Sequence, residues 1–344
     1  MVKSFLKKWW NDLKYDPGDP RQLAGGRIRV AAIGGGTGLA TLLRGLKDYS
    51  NDISAIVSVA DNGASSGEIR KEFDILPPGD IRKCISALAY DEKLVSELLE
   101  YRFEKGNNSF SGHTLGNIWI TGLANYFGSF EKALEVTTEL FKTAGKVLPA
   151  TLDDIDIKIE YEDGDVLTGE VHLDEVLKKI KKIFLSKESP KAYDGSLRAL
   201  AEADLIIIGP GSLYGSIIPN LLIPGIKKAI LNNKKAIKVY IANSSTERTQ
   251  TRDYSIDDHI KVINDHTLER LFDYCLVNDK VLKSSSEQSK LGEINNITTD
   301  KEKIDEVQIV KGDLINEKNP LYHDSEKLSK AVVELYNKFK DNRI

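Results

Sequence analysis

Residues 28–39 read I-R-V-A-A-I-G-G-G-T-G-L, an apolar, β-branched run that leads straight into four glycines. Residues 39–46 then have the apolar spacing of an amphipathic helix, so the stretch predicts a strand, a glycine turn and a helix. The N–H groups at the start of such a helix attract anions, and glycine allows an anion to approach closely. We therefore expect phosphate or nucleotide binding at this turn. The residues assigned to it are Gly34, Gly35, Gly36, Thr37, Gly38 and Leu39.

Neither of the common phosphate-binding fingerprints fits this turn. Gly34 and Gly36 match the first two glycines of the dinucleotide pattern G-x-G-x-x-G, but Leu39 stands at the third position. No Gly-Lys-Ser/Thr follows, so the P-loop pattern also fails. The alternative interpretation of the run is a tight strand–helix connection without a ligand.

The composition is that of an ordinary globular protein. The 344 residues are 41% hydrophobic and 29% charged, which suits one large or two medium domains. A net charge of −4 disfavours nucleic-acid binding through general electrostatics. Cys84 and Cys275 are far apart and the histidines are scattered, so we expect neither a disulfide framework nor a Cys/His metal cluster. Without a long apolar run or a signal peptide, the sequence predicts a cytoplasmic protein.

Residues 1–26 differ from the rest of the chain and are predicted to be a basic, aromatic extension. Trp9 and Trp10 lie among lysines, and this combination suits the headgroup region of a membrane. Residues 1–14 are therefore a candidate contact with the membrane surface, which would make the protein peripheral there. A helix docked on its own domain, or a disordered tail, is the alternative. Residues 27–344 are predicted to form one nucleotide-binding domain.

From residue 28 onward, predicted strands alternate with predicted helices. Apolar runs at 205–208, 237–241 and 274–277 are typical of strands covered on both faces, and Asp163-Gly164 indicates a hairpin. Further elements are a strand at 53–59, helices around 80–104, 114–126 and 129–145, and a last amphipathic helix near 325–339. The pattern predicts an α/β fold, a three-layer, doubly wound, mostly parallel sheet that is Rossmann-like and carries a small β-hairpin insertion. Ligands of such folds bind at the carboxyl ends of the strands.

Polar residues follow several of these strands, where a ligand is expected. Asp61 stands where dinucleotide folds place the acid that binds a ribose, although the same residues also suit a surface turn. Asp80 either faces the ligand or caps a helix, and Arg82 in the first turn of that helix requires a buried partner or an anionic ligand. The candidates of these two loops are Asp61, Asn62, Ser65, Ser66, Gly79, Asp80 and Arg82.

Later loops add a second glycine turn after residues 205–208. Its Tyr214 is predicted to stack on a base or sugar, and two glycine turns in one sheet are harder to dismiss than one. His113 is a candidate for hydrogen bonding to phosphate, with a capping or packing role as the alternative. The candidates of the later loops are His113, Asn117, Gly209, Gly211, Ser212, Tyr214 and Asn243.

Taken together, the loops resemble those of the gluconeogenesis factor (YvcK) family, relatives of the archaeal 2-phospho-L-lactate transferases. The similarity covers roughly residues 28–340 in the same order. The matching stretches are residues 34–39, 59–67, 77–82, 112–117, 209–214, 217–222 and 323–324. The resemblance implies a CofD-like three-layer fold that binds a UDP-sugar, with NAD as another candidate ligand. It also implies support of cell shape and cell-wall precursor metabolism during gluconeogenic growth.

The chain departs from the family pattern at three places. Asn62 and Ala64 replace an aspartate and a glycine, and Lys83 replaces an asparagine after Arg82. Residues 243–251 read N-S-S-T-E-R-T-Q-T, where the family commonly shows N-V-M-T-Q-P-G-E-T. A single carboxylate binds Mg²⁺ less well than two. These departures suggest a different ligand, or binding without turnover.

Three functions follow from these observations. The favoured one is a regulatory protein that binds a nucleotide sugar, because phosphate-binding turns occur without a sharp nucleophile or acid–base pair. The second is a transferase for a phosphorylated substrate, with Mg²⁺ held by Asp61 and Asp80 and with Arg82 steadying charge. An NAD-dependent oxidoreductase is disfavoured by the broken fingerprint. No catalytic residue is assigned, and assembly into a homo-oligomer is left open.

Overall fold

The computed structural model describes residues 28–342 except 105, 107–109 and 281–294. The predicted extension at 1–26, with its membrane contact through 1–14, lies outside the described residues. Within the described part of the chain, no helix combines the length and the apolar character needed to cross a bilayer.

Strands and helices alternate along the described chain. The strands are β1 (Val30–Gly34), β2 (Ile53–Val57), β3 (Gly145–Pro149), β4 (Ile157–Tyr161), β5 (Val166–Thr168), β6 (Ile180–Leu185), β7 (Leu205–Ile208), β8 (Ile237–Ile241), β9 (Tyr274–Asn278), β10 (Lys303–Ile304) and β11 (Val307–Gly312). The helices are α1 (Gly36–Leu46), α2 (Ala64–Phe73), α3 (Gly79–Leu88), α4 (Glu92–Glu100), α5 (Leu115–Phe127), α6 (Phe130–Leu140), α7 (Val171–Glu175), α8 (Asp194–Glu202), α9 (Ile218–Leu221), α10 (Pro224–Asn232), α11 (Ile256–Thr267) and α12 (Ser325–Phe339). A single π turn, Leu213–Ile217, precedes α9, and a 3₁₀ turn, Lys340–Asn342, follows α12.

The main sheet has the strand order β10-β11-β9-β8-β7-β1-β2-β3. All neighbouring strands are parallel except β10 and β11. The chain builds outward from β1 through β2 to β3 on one side, and from β7 toward β11 on the other. The strand order therefore reverses between β1 and β7, and such a reversal is where open parallel sheets bind ligands.

The central strands are buried along their whole length, because helices cover both faces of the sheet. Every residue of β1, β7 and β8 is buried. Helices α1, α3 and α12 pack together, and α8 packs with α10. Apolar, β-branched side chains suit such a strand, because helices cover the side chains on both faces of the sheet. The predicted α/β fold with a doubly wound, mostly parallel sheet is confirmed.

A second, small sheet has the order β5-β4-β6 and is antiparallel. The hairpin predicted at Asp163-Gly164 joins β4 to β5, and Gly164 takes the left-handed backbone (φ 91°) that the turn requires. The insertion is larger than a hairpin because β6 adds a third strand. Two consecutive exposed lysines, Lys181 and Lys182, interrupt the alternation along β6 and conceal it in the sequence.

The sequence prediction also missed three strands of the main sheet, which are β3, β10 and β11. The helix expected at 129–145 ends at Leu140, and β3 begins at Gly145. This edge strand has only five residues, with Gly145 and Pro149 at its ends, so its apolar signal is short. Strands β10 and β11 lie in the polar C-terminal region, where alternation is weak.

We expect Gly45→Ala to lower the free energy of unfolding, because α1 and α12 touch at Gly45. A methyl group there would overlap with the carbonyl oxygen of Ser325 and the hydroxyl of Ser329. Overpacking of this kind costs about 1–3 kcal/mol. Equilibrium unfolding in urea measures the change.

Gly122→Ala is the matched control, because Gly122 also lies within a helix but nothing lies within 4 Å of its added methyl group. We expect this variant to gain about 0.5–1 kcal/mol, since alanine favours a helix over glycine. Equal effects of the two substitutions would contradict the close contact between α1 and α12.

Candidate functional site

The two glycine turns meet at the point between β1 and β7 where the strand order reverses. A Cβ on Gly38 would lie 2.8 Å from the carbonyl oxygen of Pro210, so only glycine allows this approach. The N–H of Gly211 donates to Oδ1 of Asn243 at 3.1 Å, and this bond fixes the second turn to the loop after β8. The structure therefore brings the predicted turns and Asn243 together at one edge of the sheet.

Helix α1 begins in this junction without a side-chain cap. Gly35 is its N-cap residue, and within the described residues no side-chain cap accepts a hydrogen bond from the first turn. Gly36 has a φ of 61°, and Thr37 is exposed at the turn. The first N–H groups of a helix have no acceptor within the helix, so those of α1 are available to a ligand at the junction of the two glycine turns, which we call the cleft. Such a terminus can bind a phosphate.

Acidic side chains line the other side of the cleft. Oδ2 of Asp80 lies 2.7 Å from the position that a Cβ would take on Gly35. Asp61 and Ser66 pack against Gly79. Burial raises the pKa of Asp61, and the nearby Asp80 carboxylate adds to the shift, while hydrogen bonds from Gly63 and Ser66 oppose it. Asp61, Ser66, Gly79 and Asp80, all predicted ligand contacts, therefore lie together and form what we call the acidic wall.

Lys83 is a positively charged residue of this wall that was not among the predicted site residues. Its Nζ donates to Oδ1 of Asp80 at 3.1 Å. Burial alone would lower the pKa of Lys83, but the interaction with Asp80 outweighs it and the pKa is raised. Asp80 and Lys83 are three residues apart on α3, a spacing from which an ion pair can be expected.

Residues 169–175, which we call the strap, run from the small sheet across the cleft. The backbone N–H of Val171 donates to Oδ1 of Asn62 at 3.2 Å. Glu170 reaches the second glycine turn, with Oε1 2.7 Å from the position of a Cβ on Gly215. Burial raises the pKa of Glu170 well above its usual value, and Asp61 and Asp80 add to the shift. Asn62 therefore anchors the strap.

The strap and the second glycine turn are joined by a chain of hydrogen bonds. The Ser212 hydroxyl donates to Oε1 of Gln250 at 2.9 Å, and Nε2 of Gln250 donates to Asp174 on the strap at 3.3 Å. Beside this chain lies a cavity of about 330 Å³. Its lining residues are Asp174, Glu175, Leu177, Glu247, Arg248, Thr249 and Gln250.

Glu247 stands out in this lining. Its Oε2 is buried and has no hydrogen-bond partner within the described structure. Burial raises the pKa of Glu247 to about 7, and the neighbouring Asp174 adds to the shift. Sequence reasoning missed Glu170, Glu247 and Gln250 as site residues; the atypical run at 243–251 is a sequence signal for Glu247 and Gln250, and Glu170 has none.

Arg82 belongs to a buried network rather than to the cleft wall. It is 4% exposed, and its guanidinium makes a bidentate pair with Glu100 at 2.8 and 3.1 Å. It also donates to Thr114 and to Oδ1 of Asn117. Of the two explanations for a cation at the start of α3, the structure thus provides partners for the guanidinium, of which Thr114 and Asn117 are buried and Glu100 is 42% exposed.

Ser65 and His113 extend this network. Nδ2 of Asn117 donates to the Ser65 hydroxyl at 3.1 Å, so the hydroxyl hydrogen is left for Nδ1 of His113 at 2.9 Å. Ser65 and Asn117 are buried. The network links α2, α3, α4 and α5, so these three candidates hold together the helices behind the acidic wall.

Tyr214 lies in the interior and not at the mouth of the cleft. The residue is 1% exposed, its hydroxyl hydrogen-bonds to that of Tyr254 at 2.8 Å, and its ring packs edge-on against Tyr254 and His266. The π turn carries this side chain inward, so its ring offers no open face on which a base or sugar can stack.

Comparison with known proteins gives consistent matches. The family model described as 2-phospho-L-lactate transferase CofD matches residues 30–315. A gluconeogenesis factor of Halalkalibacterium halodurans is 40% identical over 309 residues, which are 89% of this chain and 95% of that protein. A gluconeogenesis factor of Bacillus subtilis strain 168 is 39% identical over 315 residues, 90% of this chain and 99% of that protein.

Solved structures give the same result. The crystal structure of protein BH3568 from Bacillus halodurans, a member of the UPF0052 family, is similar to this chain with a TM-score of 0.84. The two are 39% identical, and the match covers 90% of this chain and 100% of that one.

We expect Glu247→Gln to stabilise the protein more at pH 8 than at pH 5. The carboxyl of Glu247 has a pKa of about 7 in the folded state, against its usual 4.5. The unfolded state therefore ionises first, and stability falls as the pH rises from 4.5 to about 7. Removing the carboxyl removes this loss, which is about 3 kcal/mol because the two pKa values differ by about 2.5 and one pKa unit corresponds to about 1.4 kcal/mol.

Urea unfolding at the two pH values measures this effect, with Glu175→Gln as the control. Glu175 lines the same cavity, but its side chain is 63% exposed and therefore in contact with solvent. A gain for Glu247→Gln that is the same at pH 5 and pH 8 would show that the carboxyl titrates normally.

Proposed function

Because the chain belongs to the gluconeogenesis factor family and carries a CofD-type domain, we propose that it binds a nucleotide sugar in the cleft between β1 and β7. A UDP-sugar is the ligand class that we favour. The single observation that supports this most is the uncapped start of α1 where the two glycine turns meet.

The diphosphate of the ligand is assigned to the glycine turns. The N–H groups of the first turn of α1 provide hydrogen-bond donors and the positive end of a helix dipole. Gly36 and Gly38 keep this surface free of side chains, and Thr37 adds an exposed hydroxyl. Lys83 stands 3.1 Å from Asp80 at the same mouth and supplies a positive charge.

The sugar is assigned to the cavity beside the strap. Its volume of about 330 Å³ lies within the range of small-molecule sites, roughly 300–1,000 Å³. Its wall combines three carboxyl groups with Arg248, an amide and a hydroxyl, all of which can hydrogen-bond to the hydroxyls of a neutral polyol, while the carboxylates disfavour a phosphate. The buried Oε2 of Glu247 lacks a partner, and a ligand hydroxyl would satisfy it.

We propose a regulatory role, in which binding and not turnover is the event that matters. The hydroxyl of Ser65 is a nucleophile beside a histidine, but it is buried and held by Asn117. A protein that senses a cell-wall precursor of this class would connect carbon supply to cell-wall synthesis and cell shape. NAD has the same diphosphate but would place a second nucleoside, not a sugar, against the acidic cavity.

A transferase acting on a phosphorylated substrate is the second candidate. The match to the 2-phospho-L-lactate transferase family favours it, as does the proximity of Asp61 and Asp80. If this function is correct, ligand binding by the unaltered protein will require Mg²⁺.

Gly36→Ala should weaken binding of UDP by about tenfold or more, because losing one or two charge-assisted hydrogen bonds has this effect. The added methyl group lies 3.7 Å from Oδ2 of Asp80, at the mouth where the phosphate is placed. Alanine can adopt a left-handed backbone at a modest cost, so the fold should persist. Isothermal titration calorimetry with UDP measures the affinity, and Gly122→Ala should bind as the unaltered chain does. Unchanged affinity of Gly36→Ala would place the phosphate elsewhere.

Leu177→Trp should separate the two parts of the ligand. Leu177 is 60% exposed and lines the cavity, so a larger ring can fill the cavity without disturbing the core. We expect about tenfold weaker binding of UDP-N-acetylglucosamine but unchanged binding of UDP, since only the sugar loses its contacts. Leu94→Trp on α4, also at an exposed leucine, is the control. If UDP and UDP-N-acetylglucosamine lose affinity to the same extent, the sugar does not bind in this cavity.

A further inference from the structure

A magnesium ion held by Asp61 and Asp80 is what the transferase interpretation requires, so the fit of these residues to Mg²⁺ can be examined. Within the described residues, no group of three or more His, Cys, Asp or Glu side chains is arranged to hold a metal ion. Oδ1 of Asp80 already accepts from Lys83. Oδ1 of Asp61 accepts from the N–H of Gly63 at 2.8 Å. A Mg²⁺ ion would have to share Asp80 with the ammonium group of Lys83, and two cations on one carboxylate repel each other, so the pair of Asp80 with Lys83 disfavours a Mg²⁺ site here.

The neighbouring polar groups are also committed. Asn62 binds the strap through the N–H of Val171. The carboxylate of Glu170 is turned toward Gly215, on the side of the second glycine turn. The ammonium group of Lys83 is therefore the cation that lies beside the acidic wall, next to Asp80.

The position of Lys83 relative to the phosphate turn follows from Asp80. Oδ1 of Asp80 lies 3.8 Å from the position of a Cβ on Gly36, and Nζ of Lys83 lies 3.1 Å from that same oxygen. An ammonium group has three N–H donors, and Asp80 uses one. The Lys83 side chain is 37% exposed, so the others can reach a ligand in the cleft.

The charge of Lys83 acts on the whole acidic wall. It lowers the pKa of both Asp61 and Glu170 relative to what burial and their acidic neighbours would produce. Burial nevertheless raises the pKa of each. The ammonium group beside these carboxyls leaves less repulsion for a phosphate than the carboxyls alone would.

We propose that Lys83 takes the place of a divalent cation in this cleft, by neutralising the acidic wall and contacting the ligand phosphate directly. Ligand binding is then independent of metal ions. This inference rests on the proposed binding of a nucleotide sugar, and it assigns to Lys83 the role that Mg²⁺ has in the transferase interpretation. Lysine is a frequent phosphate ligand because it is a compact point charge.

The test titrates UDP-N-acetylglucosamine into the full chain by calorimetry, once with EDTA and once with Mg²⁺. The unaltered protein should show the same affinity in both buffers. Lys83→Asn should bind about tenfold more weakly or worse in EDTA, because a charged hydrogen bond is lost. Mg²⁺ should restore much of that loss, since the substitution frees the Asp80 carboxylate for a cation. Lys83→Arg should remain independent of Mg²⁺, because it keeps the charge.

Lys132→Asn on α6 is the matched control, as its lysine also pairs with an acid three residues away but lies on the surface. It should behave as the unaltered chain does. A requirement of the unaltered protein for Mg²⁺ would overturn the inference, and so would full affinity of Lys83→Asn in EDTA.

A second measurement separates this inference from the proposed function. If the unaltered protein binds no nucleotide sugar in either buffer, the proposed function fails. The thermal midpoint Tm then tests Lys83 with Mg²⁺ alone as the probe. Mg²⁺ should raise the Tm of Lys83→Asn by at least 2 °C more than that of the unaltered protein, because RT ln(1 + [L]/Kd) stabilises a folded state that binds the ion, and about 1 kcal/mol shifts Tm by roughly 2–4 °C. Equal shifts reject the inference.

Discussion

The parallel pairing of β1 with β7 is the constraint on which the site depends. Residues 30–33 pair with residues 205–208 in register, so both strands end at the same level. The N–H of Gly209 then donates to the carbonyl oxygen of Ile33 at 2.8 Å, and both chains leave the sheet as glycine turns. Side chains larger than hydrogen would separate the turns, because Gly38 and Pro210 already touch. Because the two turns are held this close together, the start of α1 remains uncapped and accessible to a ligand.

The acidic wall brings several carboxyl groups close together. Asp61, Asp80 and Glu170 come from three separate segments of the chain; Asp80 raises the pKa of Asp61, and both aspartates raise that of Glu170. A folded protein accepts such repulsion only where other bonds fix the loops. Here the strap is fixed by Asn62, and the helices behind the wall are fixed by the pair of Arg82 with Glu100. Residues that looked like ligand contacts in the sequence thus hold the charged residues in place.

The parts of the site predictable from the sequence are those encoded in short stretches. The strand–glycine–helix unit at 28–39 and the glycine turn after β7 could be predicted because their apolar runs are unbroken and end in glycine. The strap could not, since Glu170 reaches the cleft only through a small sheet whose third strand is interrupted by lysines. The position of Tyr214 could not be predicted either. An aromatic residue in a polar loop is expected to face the ligand, but the π turn directs this side chain into the interior.

The arrangement of charge also bears on the direction in which the proposed nucleotide sugar would lie. Donor groups of α1 and Lys83, which pairs with Asp80, are at one end of the cleft, while three carboxyl groups and Arg248 line the cavity at the other. A nucleotide sugar placed the wrong way round would bring its phosphates against carboxylates, and like charges at close range cost several kcal/mol. Selectivity of this kind arises from repulsion as much as from attraction. It needs no contact to the base, which agrees with the interior position of Tyr214.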